Sequence, residues 1–279
     1  MNIRTLLLAS SLLLGSYPAL AAEKLLTVGG AVTEIVYALG KGNEVIANDI
    51  TSAYPEEAAR KPKVGYMRTL SAEGLVSTGA TLIIAEAGAG PRNVIEQVRN
   101  AGVKVLQLPE SAHTPQQVAA DIRTVGQQLG AANTEQVAKQ FEVAWKDAEA
   151  KLAKLPGKPR VLFVMNNAGR GAQVAGDETA ASAVMKLVHA ENVAAGQYKG
   201  YRPVTAEALV AAAPDVIITT SEGLEASGGL SGFLKTPGIG MTPAGKHNRI
   251  VSMDTQYILG FTPRLPAALV ELGQAIRKQ

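Results

Sequence analysis

Asn133-Thr134-Glu135-Gln136-Val137-Ala138-Lys139-Gln140-Phe141-Glu142-Val143-Ala144-Trp145-Lys146-Asp147-Ala148-Glu149-Ala150-Lys151-Leu152-Ala153-Lys154-Leu155 runs without a single Gly or Pro. Val137, Phe141, Ala144, Trp145, Ala148 and Leu152 recur at spacings of three and four, the period of a helix with one apolar face. Asn133 is a residue type that caps helices, and Glu135 falls in the first turn, where a negative charge is favoured. Leu155-Pro156-Gly157-Lys158-Pro159 stops the pattern. At 1.5 Å per residue the stretch predicts roughly 30 Å of uninterrupted helix.

The chain on either side of this helix has a different texture. Short apolar runs alternate with helical patterns. Before it, Leu25-Leu26-Thr27-Val28 reads as a strand, 32–39 as a helix closed by Gly40, Thr81-Leu82-Ile83-Ile84 as a buried strand, 91–101 as a helix, 103–108 as a strand and 114–129 as a helix closed by Gly130. After it come strands over 160–165, 216–220 and 250–253, with helices over 179–189 and 263–277. Continuous apolar runs between helices imply a parallel or mixed sheet covered on both faces. The layout is an N-terminal α/β lobe over 22–132, an interlobe helix over 133–155 and a C-terminal α/β lobe over 156–279.

The two lobes echo one another. Ser71-Ala72-Glu73-Gly74-Leu75-Val76 precedes Ile83-Ile84 at the same distance that Thr205-Ala206-Glu207-Ala208-Leu209-Val210 precedes Ile217-Ile218. Upstream, Gly65-Tyr66 and Gly200-Tyr201 repeat the theme with one residue fewer. The repeat predicts related half-domains, each with a Tyr ahead of a short helix and a Glu inside it. Ligands of such bilobal α/β chains sit in the cleft near the carboxyl ends of the strands.

The N-terminus reads as an address. Asn2-Ile3-Arg4 is a positive n-region, 6–14 an apolar h-region too short to span a bilayer, and Ala19-Leu20-Ala21 an A-x-A cleavage pattern. This predicts a signal peptide over 1–21, cleaved near Ala21, and a product delivered to the periplasm. No Cys follows the h-region, which excludes a bacterial lipoprotein.

Composition narrows the chemistry. The chain has 279 residues, no Cys, 3 His, 7 Tyr and a formal charge of +3. Disulfides, thiolate metal sites, iron–sulfur clusters and Cys nucleophiles are excluded. A mild charge with no basic run argues against a nucleic-acid partner. There is no G-x-G-x-x-G after a strand, no P-loop and no G-x-S-x-G. His113, His189 and His247 are scattered and lack metal-site spacing; each reads as a surface or cap residue, which disfavours a zinc or manganese carrier.

Tyr66 is more informative. In Lys63-Val64-Gly65-Tyr66-Met67-Arg68 the chain reads as extended, so Tyr66 and Arg68, two apart, are expected to point the same way. A phenol titrates near pH 10. A neighbouring guanidinium and a bound ferric ion both favour the phenolate, a hard anionic ligand suited to ferric haem.

These residues carry a resemblance. The mature chain is similar to class III periplasmic binding proteins, which have two Rossmann-like α/β lobes joined by a single long α-helix. More specifically it resembles the haem (hemin)-binding proteins of bacterial haem ABC importers, through Val28-Gly29-Gly30-Ala31-Val32-Thr33-Glu34-Ile35-Val36-Tyr37-Ala38-Leu39-Gly40, Val64-Gly65-Tyr66-Met67-Arg68-Thr69-Leu70-Ser71-Ala72-Glu73-Gly74, Thr242-Pro243-Ala244-Gly245 and Leu259-Gly260-Phe261. The resemblance implies that Tyr66 is the axial iron ligand and that Arg68 supports it. Some relatives carry a His after the first C-lobe strand; here Asn166-Asn167-Ala168-Gly169-Arg170 stands instead, which favours Tyr66 as the sole protein ligand and leaves Arg170 to reach a propionate. Tyr201 and Tyr257 are weaker candidates for ring contacts. Glu73 and Glu207, one per lobe, are implied to dock on the permease.

The expected protein is a monomeric periplasmic haem carrier with no catalytic residues. It would receive haem from an outer-membrane receptor system and deliver it to an inner-membrane ABC permease and its ATPase. A single long helix between lobes predicts little hinge motion and a largely preformed cleft. A carrier of the same fold for a siderophore or cobalamin remains open, and an exported α/β hydrolase stands as the rival of another class.

Overall fold

The computed structural model describes residues 23–167 and 171–278; the expected signal peptide and Arg170 lie outside them. The chain forms two lobes, each built on its own sheet. In the N-lobe, β1 (Leu25–Val28), β2 (Val45–Asn48), β3 (Leu82–Ala85) and β4 (Lys104–Gln107) form a parallel sheet in the order β2-β1-β3-β4. The central strands β1 and β3 are buried along their whole length. That is why they read as unbroken apolar runs rather than alternating ones.

The C-lobe contains β5 (Arg160–Asn167), β6 (Gly171–Ala175), β7 (Glu191–Asn192), β8 (Tyr201–Pro203), β9 (Val216–Thr220) and β10 (Ile250–Met253). Its path is β10-β9-β5-β6-β8, with the short β7 also pairing with β5. Strands β5, β9 and β10 are parallel, whereas β6 runs antiparallel to both β5 and β8. The sheet is therefore mixed, and β6 and β8 are additions to the strands expected from sequence.

The interlobe helix spans Thr134–Leu152, about 28 Å long and shorter than the 133–155 expected. Asn133 occupies the cap position, but its side chain accepts no hydrogen bond there. The first turn is tied instead through the Thr134 hydroxyl, which donates to the Ala131 carbonyl at 2.6 Å. Helices Pro115–Gln128 and Leu265–Ala275 flank the interlobe helix. Ala138, Phe141 and Leu152 belong to one apolar cluster that runs from Leu25 and Ile84 in the N-lobe to Phe163 and Leu272 in the C-lobe. The helix is thus a shared piece of core as well as a connector.

Capping follows the sequence closely elsewhere. Thr114 and Thr179 accept from Gln117 N–H at 3.2 Å and Ser182 N–H at 3.0 Å, the donors that a helix start leaves without backbone partners.

Candidate functional site

The strand ends determine where a ligand can bind. Gly30 and Ala31 follow β1, Ile50 follows β2, Glu86 follows β3 and Leu108 follows β4, while Glu222 and Asp254 follow β9 and β10. All face the space between the lobes, as expected for parallel α/β sheets. A cavity of about 380 Å³ is lined by Ile50, Met67, Arg68 and Glu86 from the N-lobe and by Glu222, Asp254 and Leu259 from the C-lobe. A second, of about 250 Å³, shares Met67, Arg68, Glu86 and Gly260 with the first and adds Leu108, His113 and Phe261. Together they form one interlobe cleft of a size suited to a small organic ligand.

The Tyr66 segment is a turn rather than an extended strand. Val64 N–H donates to the Asn48 carbonyl, Ile50 N–H to that of Gly65 and Thr69 N–H to that of Tyr66, each at 2.9 Å. Gly65 has φ of 100°, a conformation that side chains rarely adopt. Met67 and Leu70 are buried in the N-lobe core, so the turn is pinned from beneath. Tyr66 and Arg68, on either side of Met67, are both left exposed, and Tyr66 retains 41% of its accessible surface. Arg68 lies on the wall of both cavities, beside Gly88; Tyr66 lines neither and stands one residue outside that wall. Both residues expected from sequence to pair are exposed, with buried Met67 between them, but only Arg68 reaches the cavities.

Glu86 is a cleft residue that sequence reasoning passed over, and His113 one that it read as surface or cap. The Glu86 carboxylate accepts from Ala31 N–H at 2.9 Å, at the start of helix Gly30–Ala38, and packs against Gly29. Burial pushes its pKa up from 4.5 to about 7; Asp49 adds to the rise, while the Ala31 N–H and Arg68 oppose it. The folded chain therefore holds a proton that the unfolded chain releases near pH 4.5. Stability should fall as pH rises from about 4.5 to about 7, with the loss complete above that range, by at most about 3 kcal/mol for this group. Glu86→Gln keeps an acceptor for Ala31 and removes the titration. In urea unfolding it should match the parent at pH 4 and exceed it at pH 8; equal differences at both pH values would sink this assignment.

His113 is half-buried with its ring 5.2 Å from that of Phe261, and burial lowers its pKa. It is thus part of the cleft wall and not the surface residue expected. His189 does end a helix, and His247 is exposed with Nδ1 2.9 Å from the Pro243 carbonyl. Among the described residues no group of three or more His, Cys, Asp or Glu could hold a metal ion.

The remaining tyrosines do not line the cleft. Tyr201 packs edge-on against Phe163, with centroids 6.5 Å apart, and Tyr257 lies against Arg264. The echo between Tyr66 and Tyr201 is accordingly one of sequence and not of position. The echo between Glu73 and Glu207 is structural. Each sits in the first turn of a short helix, Ala72–Val76 or Ala206–Ala212, capped by Ser71 or Thr205, and each is exposed.

A sequence model of the periplasmic binding proteins matches residues 25–257. The chain belongs to that family. This periplasmic binding protein has the class III architecture, and its family comprises substrate carriers, so it is a binding component and not an enzyme. It is similar to the periplasmic heme-binding protein BhuT in complex with two hemes, at 41% identity and a TM-score of 0.86, with 92% of this chain and 98% of that one covered. It is also similar to the periplasmic heme-binding protein RhuT from Roseiflexus sp. RS-1 in apo form, at 36% identity and a TM-score of 0.88 over the same shares. A vitamin B12-binding protein of Vibrio parahaemolyticus is 24% identical over 264 residues, 94% of this chain and 91% of that protein.

Proposed function

We propose that this periplasmic binding protein carries haem to an inner-membrane ABC importer. The observation that carries the reading is the interlobe cleft, with Arg68 on its wall and the exposed Tyr66 on the same turn, one residue outside that wall. Tyr66 is the axial ligand to ferric iron, and Arg68 favours its phenolate form. Ile50, Met67, Leu259 and Phe261 give the cleft the apolar surfaces that a porphyrin face requires. Arg170, outside the described residues, is assigned to a propionate. Glu73 and Glu207 meet the permease, whose ATPase drives import, and an outer-membrane haem receptor system supplies the ligand. The protein acts as a monomer in the periplasm, with lobes over 22–132 and 156–279 and the signal peptide removed near Ala21. The heme-binding relatives support this reading.

Hemin titration followed by absorbance is the test. A saturable Soret band with a high-spin ferric spectrum is expected, and the end point counts haems per chain. Relatives named for vitamin B12 motivate a second reading, cobalamin as cargo. Tight cyanocobalamin binding without a Soret response to hemin would replace the first reading with the second.

A further inference from the structure

We propose that residues 254–264 form a strap that sets the spacing of the two lobes, with Arg264 and Glu34 as its positioning pair. Arg264 precedes helix Leu265–Ala275 in the C-lobe, and Glu34 sits inside helix Gly30–Ala38 in the N-lobe. Arg264 donates through Nε to Glu34 Oε2 at 2.8 Å and through Nη2 to Oε1 at 2.6 Å, a two-pronged contact between residues 230 apart in sequence. Such a fork fixes orientation as well as distance. The guanidinium is also packed between rings, 3.7 Å from the centroid of Tyr54 in the N-lobe and 4.9 Å from that of Tyr257 in the strap. The Glu34 side chain is only 2% exposed, whereas that of Arg264 is 25% exposed, so the carboxylate side of the pair is shielded from water.

The strap has further attachments. Gln256 donates to Glu34 Oε1 at 3.0 Å and accepts from Ala53 N–H at 3.4 Å. Gly30 leaves no room for a side chain because the Gln256 amide occupies that space. Farther along, Phe261, held at φ of 48°, stacks on His113 of the N-lobe. Between these anchors the same stretch supplies Leu259 and Gly260 to the cleft wall. The groups facing Glu34 are Arg264, Thr262 and Asp254, all from the strap.

The interlobe helix, packed into a core shared by both lobes, already limits hinge motion. The strap adds a second attachment beside the ligand space. The cleft is thereby preorganised, and preorganisation lowers the ordering cost of binding without adding contacts to the ligand. The strap thus sets how long a ligand stays through the Arg264–Glu34 pair, which itself lines neither cavity.

The spacing can be read without any ligand. The chain has no Cys, so Arg99→Cys and Ala211→Cys, exposed on separate lobes, accept spin labels cleanly. In the labelled parent, electron–electron distance measurements should give one narrow interlobe distance. Tyr54→Leu removes the ring over Arg264 without exposing a charge; the double variant Glu34→Gln with Arg264→Gln removes both charges together. Each should broaden the distribution and raise the hemin dissociation rate about tenfold while the spectrum of bound hemin stays that of the parent. An unchanged distribution and dissociation rate in both variants overturns the strap, as does a lowered melting temperature unaccompanied by either change. The dissociation arm rests on the haem reading. If the parent gives no Soret band, that reading fails, and the distance measurement still decides the strap.

Discussion

Tyr66→Phe should lower hemin affinity by roughly a hundredfold or more and abolish the parent's ferric spectrum. The expectation follows from what is removed. Only the hydroxyl oxygen goes; the ring and the turn beneath it stay. Loss of an outer partner to a metal ligand commonly costs ten- to a hundredfold, so loss of the ligand itself should cost at least that, about 3 kcal/mol or more. Tyr66 is 41% exposed, and the turn is held by backbone bonds and buried Met67, so the variant should unfold at the parent's temperature. Arg68→Ala is the graded companion. It leaves the phenol but removes the guanidinium from the cleft wall, so affinity should drop about tenfold with the parent's ferric spectrum retained. Parent-like hemin binding by Tyr66→Phe would reject the ligand assignment while leaving the fold untouched.

The reach of sequence reasoning follows from which interactions are local. Val216–Thr220 and Ile250–Met253 are strands at the expected bounds, the first because burial on both faces makes an unbroken apolar run. Gly102 and Gly130 do end their helices with positive φ. The strands β6 and β8 escaped because Gly171–Ala175 is short and mixed in polarity and Tyr201–Pro203 contains an edge-strand proline; their pairing is visible only across the sheet. The exposure of Tyr66 and Arg68 is set by the turn and by buried Met67, which depends on contacts outside the segment and so is not legible in it. Glu34 falls inside the helix expected over 32–39. Nothing local announces that its partner is Arg264, because the two meet only when both lobes have folded. Glu86 has the same difficulty: its raised pKa arises from burial in the fold, with Asp49 adding to it and the Ala31 N–H opposing.

Combining Glu73→Ala with Glu207→Ala should reduce carrier-stimulated ATPase activity of the cognate transporter to its basal rate, with hemin affinity unchanged. The two carboxylates are on different lobes, each at the same place on an equivalent helix leading into a buried strand, β3 or β9. A partner with twofold symmetry presents its docking groups twice, and a duplicated acidic position is the matching arrangement on a single chain. Neither Glu lines the cleft, so the cargo should not register their loss. Neither holds its helix alone. Ser71 and Thr205 accept from Gly74 and Ala208 N–H and remain in the variants, and an exposed first-turn carboxylate adds little to its helix. Each single variant should lose part of the stimulation, and the loss should shrink as salt is raised, because exposed charge contacts are screened. Full stimulation by the double variant would remove Glu73 and Glu207 from the docking surface, whereas loss of stimulation together with loss of hemin binding would mean that the substitutions had disturbed the lobes themselves.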